Sequence, residues 1–333
     1  MANSAGSKTA ADISQTMDDM DDVRKYTSLG AANRDKLREN PGFYTRAWRR
    51  LRKDKIAILS LVGLLFIVIF ALGAPLVERW VGVSYSTTNL RAALLPPGAS
   101  YTDPVSGEST TYWFGTDGAG RDLLVRLAYG GRISLMVASL ALVFSLLIGM
   151  TIGSVAGFFG GIVDSLLMRL VDTLLCIPGI TLLLLISVWI QPGPVGLAFV
   201  IALLGWTGVS RLIRGEVLSL KQRDYVDAAR VLGASNASII IKHIFPNVVS
   251  LVIVWASLSL PSLIIYEATL SYLGFGVQMP VPSWGNMLND AREVFRRSWT
   301  FTFIPGMAIM LTALFINLFG NGLRDALDPR LKE

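Results

Sequence analysis

Residues 225–247 read YVDAARVLGASNASIIIKHIFPN, an amphipathic stretch that lies between two long apolar runs. Helix-forming residues stand on both sides of Gly233, and a glycine in this position ends a helix. Pro246 opens the apolar run that follows, since proline is well tolerated in the first turn of a helix. The apolar side of the first helix is assigned to Val226, Ala229, Val231 and Leu232, and its polar side to Asp224, Asp227 and Arg230. The stretch therefore predicts a short helix, a turn and a second helix.

The composition places the chain among membrane proteins. Of its 333 residues 52% are apolar and 16% are charged, against roughly 25% charged residues in a soluble domain. The runs without Asp, Glu, Lys or Arg that reach the ~20 residues of a transmembrane helix are 56–77, 133–163, 173–210, 244–266 and 298–323. The run 173–210 is long enough for two spans and is interrupted by Gln-Pro-Gly-Pro at 191–194. The sequence therefore predicts an all-α, polytopic membrane protein with six transmembrane helices.

The positive residues orient these spans, because Lys and Arg near short loops favour the cytoplasmic side. The basic cluster before the first span consists of Arg46, Arg49, Arg50, Arg52, Lys53 and Lys55. Most of the 30 Lys and Arg residues fall in 1–55, about 160–170, 211–243 and 324–333. Both termini and the opening stretch are therefore predicted to lie in the cytoplasm. This positive face explains the net charge of +6 without a nucleic-acid partner.

The same pattern divides the chain into segments. Residues 1–45 lack an apolar core of signal-peptide length and are expected to form a disordered cytoplasmic tail. The next segments are a basic segment with the first transmembrane helix at 46–77, an extracytoplasmic loop at 78–132, a five-helix core at 133–323 that includes the cytoplasmic loop 211–245, and a cytoplasmic tail at 324–333. A second outer segment, 271–297, is rich in Gly, Pro and aromatic residues.

Small and charged residues suggest how the spans pack. Gly149, Gly153 and Gly157 recur every four residues on one face of the second span, where absent side chains let another helix approach closely. Arg169 and Asp172 are three residues apart at the start of the third span and are expected to pair on one helix face.

Two further residues lie where a span is interrupted or ends. Pro178 is expected to kink the third span. Glu267, at the outer end of the fifth span, is expected to face a cavity, to reach the membrane interface or to form a local pair, and is not assigned to substrate.

The sequence does not predict an enzyme or a metal site. Phosphate-binding loops, zinc-hydrolase motifs, serine-nucleophile elbows and dinucleotide fingerprints are absent. The single Cys176 excludes a disulfide framework, and the single His243 argues against a histidine-rich metal site. Charged residues within the spans are too sparse for a typical proton-driven carrier, although sodium coordinated by backbone carbonyls stays open.

The loop after the fourth span resembles a known motif. DAARVLGASNASIIIKHIFPN, at 227–247, resembles the EAA loop of permease subunits of bacterial ABC importers. The motif positions are occupied by Asp227, Ala228, Ala229, Gly233, Ile244 and Pro246. Asp227 replaces the usual Glu, and Phe245 replaces the usual Leu.

Three other segments narrow the resemblance. FGTDGAGRDLLVRLAYGGRISL at 114–135, LSYLGFGVQMPVPSWGNML at 270–288 and GNGLRDALDPRLK at 320–332 are similar to the C-type subunit of the dipeptide, oligopeptide and nickel class. The basic segment and first span at 46–77 are similar as well, so the resemblance covers residues 46–333.

The resemblance implies a type I ABC importer permease fold in a prokaryotic plasma membrane. It implies a second permease subunit, two ATPase subunits that hold ATP and Mg²⁺, an extracytoplasmic substrate-binding protein and surrounding membrane lipid as partners, with no cofactor on this chain. The residues expected to couple this chain to an ATPase subunit are Tyr225, Asp227, Ala228, Ala229, Arg230, Gly233, Ala234 and Pro246. Trp284 and Asn286 are expected to contact the binding protein.

The expected cargo is a dipeptide or oligopeptide, with nickel, an oligosaccharide or an opine-like compound as alternatives within the same assembly. A stand-alone ion-coupled transporter and a membrane-embedded enzyme are the competing classes. The EAA-like loop opposes the first of these, and the absence of a catalytic cluster opposes the second.

Overall fold

The computed structural model describes residues 43–102, 104, 107 and 109–327. Most of the predicted tails, 1–45 and 324–333, lies outside these residues. Helix α1, Phe43–Lys53, belongs to one compact unit of the chain, and the residues from Asp54 onward form another. Helix α1 carries the predicted basic cluster except Lys55, which begins the next helix, and Arg50, Arg52 and Lys53 lie in its last turn.

The second unit is almost entirely helical. Its helices are α2 (Lys55–Leu72), α3 (Ala74–Val81), α4 (Leu123–Phe159), α5 (Gly161–Cys176), α6 (Gly179–Ile190), α7 (Pro194–Leu220), α8 (Asp224–Val231), α9 (Asn236–Ile239), α10 (Phe245–Tyr272), α11 (Trp284–Ala291) and α12 (Trp299–Leu327). Within the described residues, five helical stretches are long and apolar enough to cross a membrane, and α5 with α6 makes a sixth if that bent pair is one span. The prediction of six transmembrane helices is confirmed in this form.

The loop between α3 and α4, part of the predicted extracytoplasmic segment 78–132, contains a small β-hairpin that the all-α prediction omitted. Strand β1, Ala99–Thr102, pairs antiparallel with β2, Ser109–Tyr112, and Ala99 stands opposite Tyr112. The four-residue strands, ASYT and STTY, are mostly polar and lack the apolar alternation by which a strand is identified in sequence.

The glycines of α4 make the predicted helix contact, and its partner is α7. A Cβ atom built on Gly153 would stand 2.5 Å from the carbonyl oxygen of Ser210, and one on Gly149 would stand 2.7 Å from that of Trp206. Gly157 lies equally close to α7, because its Cβ would stand 2.9 Å from the carbonyl oxygen of Arg214. Such close backbone approach is available only to residues without a side chain.

The third span is broken rather than kinked. Helices α5 and α6 have 16 and 12 residues, so neither alone is long enough to cross a membrane, and they are bent by 88° at the break that contains Pro178. Proline blocks a helical conformation of the residue before it, here Ile177, which is extended with ψ 131°. Cys176 ends α5 and is exposed. The predicted break at 191–194 is also present, because α7 begins with Pro194.

The core of this unit lies between α4, α6, α7, α10 and α12. Its fully buried members include Val137, Ala138, Leu183, Leu197, Ile264 and Leu270. A second apolar cluster joins the ends of α4 and α7 to α8, α9 and the start of α10. This second cluster includes Val226, Ala229, Ile239 and Ile244 from the stretch 225–247.

Candidate functional site: a membrane-edge helix and an outer charged cluster

Helix α8 is fixed to the rest of the protein by one narrow apolar face. Val226 and Ala229 are buried against the ends of α4 and α7 and against Ile239 and Ile244. The predicted apolar side also contained Val231 and Leu232, and for these two residues the prediction is wrong. At 3.6 residues per turn Val226 and Ala229 share one face, and Val231 lies across the helix from Ala229. Leu232 is the C-cap residue, which follows the last helical residue.

The opposite face of α8 is open. Val231 is 87% exposed and Leu232 is 86% exposed, and Tyr225 and Ala228 are exposed on the same helix. Apolar side chains this exposed next to one another are typical of a surface that binds a partner. The small side chain of Ala228 leaves room for a partner backbone to approach.

The C-terminus of α8 is a Schellman motif. Gly233 has φ +81°, its N–H donates to the carbonyl of Arg230 at 3.0 Å, and the N–H of Ala234 donates to that of Ala229 at 3.0 Å. These two bonds satisfy carbonyls that a helix end leaves without partners. Gly233 therefore sets the direction in which the chain leaves α8.

Asp227 and Arg230 bind each other. Nη1 of Arg230 donates to Oδ1 of Asp227 at 2.9 Å, and the Arg230 guanidinium lies 5.8 Å from the ring centre of Phe158 at the end of α4. The pair thus links the exposed helix to α4. Pro246, in the first turn of α10, is exposed.

Two ion pairs join α5 to α7 near this site. Nη2 of Arg214 donates to Oδ2 of Asp164 at 2.6 Å, and Arg211 pairs with Asp172. The expected pair within α5, Arg169 with Asp172, is therefore replaced by a pair between helices. The three-residue spacing on α5 is compatible with a pair between Arg169 and Asp172. Only the packing of α5 on α7 shows that Asp172 pairs with Arg211 instead.

A second cluster of charges lies in the predicted outer segments, at the start of α4. The buried side chains of Arg121 and Arg126 face Asp117, and both also bond to Asp290, at 2.9 and 3.2 Å. Burial raises the pKa of the Asp290 carboxyl, although Arg126 and Arg121 act to lower it. Burial likewise raises the pKa of Asp122, whose backbone hydrogen bonds with Val125 and Leu124 act in the opposite direction.

This cluster borders a polar cavity. Its volume is about 410 Å³, and it is lined by Gly118, Ala119, Arg121, Asn289, Asp290, Glu293 and Val294. The cavity joins residues from the two predicted outer segments, 78–132 and 271–297. Because its lining displays both signs of charge, it offers a polar surface that sequence reasoning did not identify.

Trp284 and Asn286 lie inside the protein, so the prediction that they contact a binding protein does not fit the structure. The Trp284 indole N–H donates to the carbonyl of Leu127 at 3.0 Å. The Asn286 side chain caps α11 by accepting from the N–H of Ser283, and it donates to the carbonyl of Val281. Both residues therefore stabilise the predicted outer segment 271–297 from within.

Glu267 is fully buried and accepts a hydrogen bond from Ser271 at 2.8 Å. It therefore does not reach the membrane interface, and its local hydrogen bond fits one of the three expectations for it. In the described part of the chain, no group of three or more His, Cys, Asp or Glu residues is arranged to hold a metal ion.

Comparison with known families matches two parts of the chain. Residues 149–333 match the family described as binding-protein-dependent transport system inner membrane component. Residues 42–97 match the N-terminal TM domain of oligopeptide transport permease C.

Curated relatives align over most of the chain. Oligopeptide transport system permease protein OppC of Bacillus subtilis (strain 168) is 38% identical over 287 residues, 86% of this chain and 90% of the relative. Dipeptide transport system permease protein DppC of the same strain is 39% identical, over 87% of each chain. OppC of Escherichia coli (strain K12) is 37% identical, over 88% of this chain and 93% of the relative.

A solved structure of the inward-facing MetNI methionine ABC transporter aligns with 60% of this chain and 95% of that chain, at 17% identity and a TM-score of 0.49. The family match covers more than half of the residues, and the curated relatives align over 86–88% of the chain. The chain therefore belongs to the family of inner-membrane components of binding-protein-dependent transport systems.

Proposed function

We propose that this chain is the permease subunit of an ATP-driven importer whose cargo is peptide. Peptide is proposed as the cargo because the curated relatives are named as oligopeptide or dipeptide permeases. These relatives align over 86–88% of the chain. A membrane component of this family is a transport subunit that works with a substrate-binding protein and an ATPase. In this proposal the ATPase subunits hold ATP and Mg²⁺, and this chain holds no cofactor.

The complete assembly that we propose contains a second, similar permease beside this one, with two ATPase subunits and one binding protein. Exposed apolar side chains on α5 and α6, such as Ile162, Leu166 and Trp189, supply a surface for that second permease or for lipid. Both termini lie in the cytoplasm, because the basic residues before α2 and after α7 favour that orientation.

Helix α8 is the proposed joint to an ATPase subunit. Tyr225, Ala228, Val231 and Leu232 would enter a groove of that subunit, and burial of exposed apolar area is the main favourable term in such association. Asp227 and Arg230 would hold α8 in register through their own ion pair, while Ala229 fixes the helix to the permease. Gly233 and Ala234 close the helix end, and Pro246 starts the membrane helix that follows.

The joint must transmit a change of shape. ATP binding that draws the ATPase subunits together would move α8, and cargo would cross only if nucleotide and loaded binding protein favour different conformations by different free energies. On the outer side, the polar cavity beside Arg121 and Asp290 replaces Trp284 and Asn286 as the proposed docking surface for the binding protein.

The experiment is purification of the assembly through a tag on this chain alone, followed by ATPase measurement in lipid discs. The ATPase subunits should co-purify, and loaded binding protein should stimulate hydrolysis. The double variant Val231→Asp/Leu232→Asp should lose the ATPase subunits while the permease still inserts, since substitution of residues this exposed changes folding stability by only about 0.5 kcal/mol.

The control is Leu90→Asp, which places one aspartate on an exposed apolar residue of the loop 78–132. It should keep the ATPase subunits. A wild-type chain that purifies alone and carries solute down an ion gradient without ATP would refute the importer.

A further inference from the structure

The outer segment, defined here as residues 273–291, packs directly on the last turns of α10. A Cβ atom on Gly285 would stand 2.5 Å from the carbonyl oxygen of Ala268, and one on Gly276 would stand 2.5 Å from the backbone nitrogen of Ser271. The segment ends in α11, whose residues Trp284 and Met287 are buried. Its last part, α11, is therefore packed inside the protein, while residues 273–275 and 278–280 are exposed.

Three serine side chains accept hydrogen bonds from backbone N–H groups of the outer segment. The oxygen of Ser271, in α10, accepts from Val277 at 3.1 Å. The oxygen of Ser134, in α4, accepts from Trp284 at 3.1 Å. A serine oxygen that already accepts an N–H still has one proton to donate.

The third hydroxyl belongs to Ser283, which caps α11. Its oxygen accepts from the N–H of Asn286 at 3.2 Å. This hydroxyl is the N-cap of α11, and the loss of a serine N-cap typically weakens a helix.

All three hydroxyls lie beside one side chain, that of Glu267. Ser271 donates to its Oε1 at 2.8 Å, and the side chains of Ser134 and Ser283 lie next to the same carboxyl group. Glu267 is fully buried, and Oε2 has no partner at ordinary hydrogen-bond distance, so hydrogen-bonding capacity remains there. A buried carboxyl group needs polar partners around it, because a polar group without them is costly to bury.

Helix α10 connects this carboxylate to the inner side. The helix begins at Phe245, directly after the π-helical residues Ile240–Ile244 that follow α9, and it continues past Pro261 to Tyr272. Its 28 residues correspond to about 40 Å at the usual rise per residue. The proposed joint and Glu267 therefore stand at opposite ends of one helix.

We propose that Glu267 is a positioning residue that ties the outer segment to α10, so that a movement of α8 at one end of this helix shifts the outer segment at the other. The second half of this statement rests on the proposed function. The first half does not, because it concerns only the contacts among Glu267, the three serines and the segment. Each half has its own readout.

The first readout is hydrogen exchange of the wild-type and Glu267→Gln assemblies in lipid discs. Glutamine keeps the shape, but it replaces one carboxyl oxygen by an amide NH₂ group that brings two donors of its own. Exchange of peptides covering 273–291 should be about tenfold faster in the variant, the change that about 1.4 kcal/mol produces. Peptides from the middle of α4 and from 224–234 should exchange at the wild-type rate.

The second readout is ATPase activity with and without loaded binding protein. Glu267→Gln should keep basal hydrolysis and co-purifying ATPase subunits, but lose at least nine-tenths of the stimulation. A residue that only stabilised the fold would lower both activities together.

Ser271→Ala removes one of the three hydroxyls and should reproduce both effects in weaker form. Its matched control is Ser187→Ala, since Ser187 is another buried serine of a membrane helix and its hydroxyl makes no hydrogen bond. This control should behave as wild type in both measurements.

The outcomes separate the two halves. Unchanged exchange in Glu267→Gln would overturn the tie, because apolar packing of Trp284 and Met287 alone would then hold the segment. Faster exchange with full stimulation would overturn transmission through α10. A wild-type chain without ATPase partners would refute the proposed function, while the exchange measurement would still decide the tie.

Discussion

Arg126 and Asp290 are 164 residues apart in sequence, yet Nη2 of Arg126 donates to Oδ2 of Asp290 at 3.2 Å. Arg126 is fully buried at the outer end of α4, and its other neighbouring carboxylate, Asp117, is buried as well. Arg121 uses the same two acids. Two arginines therefore depend on two carboxylates that come from different segments of the chain.

The first prediction follows from the cost of burying an arginine without its acid. Asp117→Asn keeps the size of the side chain but leaves Arg121 and Arg126 with Asp290 alone. Removing one member of a buried charge pair typically costs about 3–5 kcal/mol. We expect a clearly lower midpoint of thermal unfolding in detergent, followed by the intrinsic tryptophan fluorescence.

The control is Asp172→Asn, which breaks the exposed pair with Arg211. Exposed pairs contribute about 0–1 kcal/mol, so its unfolding midpoint should stay near that of the wild type. Equal losses in the two variants would contradict the structural role of the outer cluster.

The second prediction concerns the pair between Asp164 and Arg214. It is partly buried and joins α5 to α7 beside α8, so the two charges should stabilise each other. A double-mutant cycle with Asp164→Asn and Arg214→Gln should show a coupling of about 0.5–3 kcal/mol. The same cycle on Asp172 and Arg211, measured under identical unfolding conditions, should give a smaller value. A coupling of zero at Asp164 would mean that α5 and α7 are joined by apolar contacts alone.

Sequence reasoning identified local features well and partners poorly. The period of Gly149, Gly153 and Gly157 marked a helix contact, because a missing side chain is visible in the sequence. That the contact is with α7 was not visible, since it depends on the path of the chain. Asp172 shows the same limit, because an acceptable partner three residues away competed with Arg211 on another helix.

The remaining errors also came from tertiary packing. An apolar run of sufficient length predicts a span, but it does not show the 88° bend between α5 and α6. Trp284 and Asn286 lie in a segment rich in turns and aromatic residues, a composition that fits an exposed loop as well as a buried one. Only the packing of that segment on α10 distinguishes the two.

The third prediction tests the contact between α4 and α7. Gly153→Ala adds a single methyl group where a Cβ would stand 2.5 Å from the carbonyl oxygen of Ser210, so the helices must separate. Overpacking of this kind typically costs about 1–3 kcal/mol. Gly208→Ala is the control, because its Cβ would meet only the Trp255 ring at 3.7 Å. We expect a lower unfolding midpoint for the first variant alone, and equal midpoints would contradict the close contact.

The last prediction concerns the exit from α8. Gly233 has φ +81°, and a Cβ built there would meet no atom within 4 Å, so a substitution acts through backbone strain and not through a clash. Valine in this left-handed conformation costs about 1–2 kcal/mol or more, and relaxation of that strain would turn the chain that leaves α8. We expect Gly233→Val to insert into the membrane and to hydrolyse ATP with its partners, but to lose most cargo uptake, as measured in proteoliposomes.

Gly82→Val separates strain from location. Gly82 has φ +80°, ends α3 on the outer side, and also has open space around its Cβ position. It should carry a similar strain and keep uptake coupled to hydrolysis. If Gly233→Val transports at the wild-type rate, α8 does not act as a rigid joint. If Gly82→Val loses uptake to the same extent as Gly233→Val, backbone strain anywhere in the protein would explain the effect.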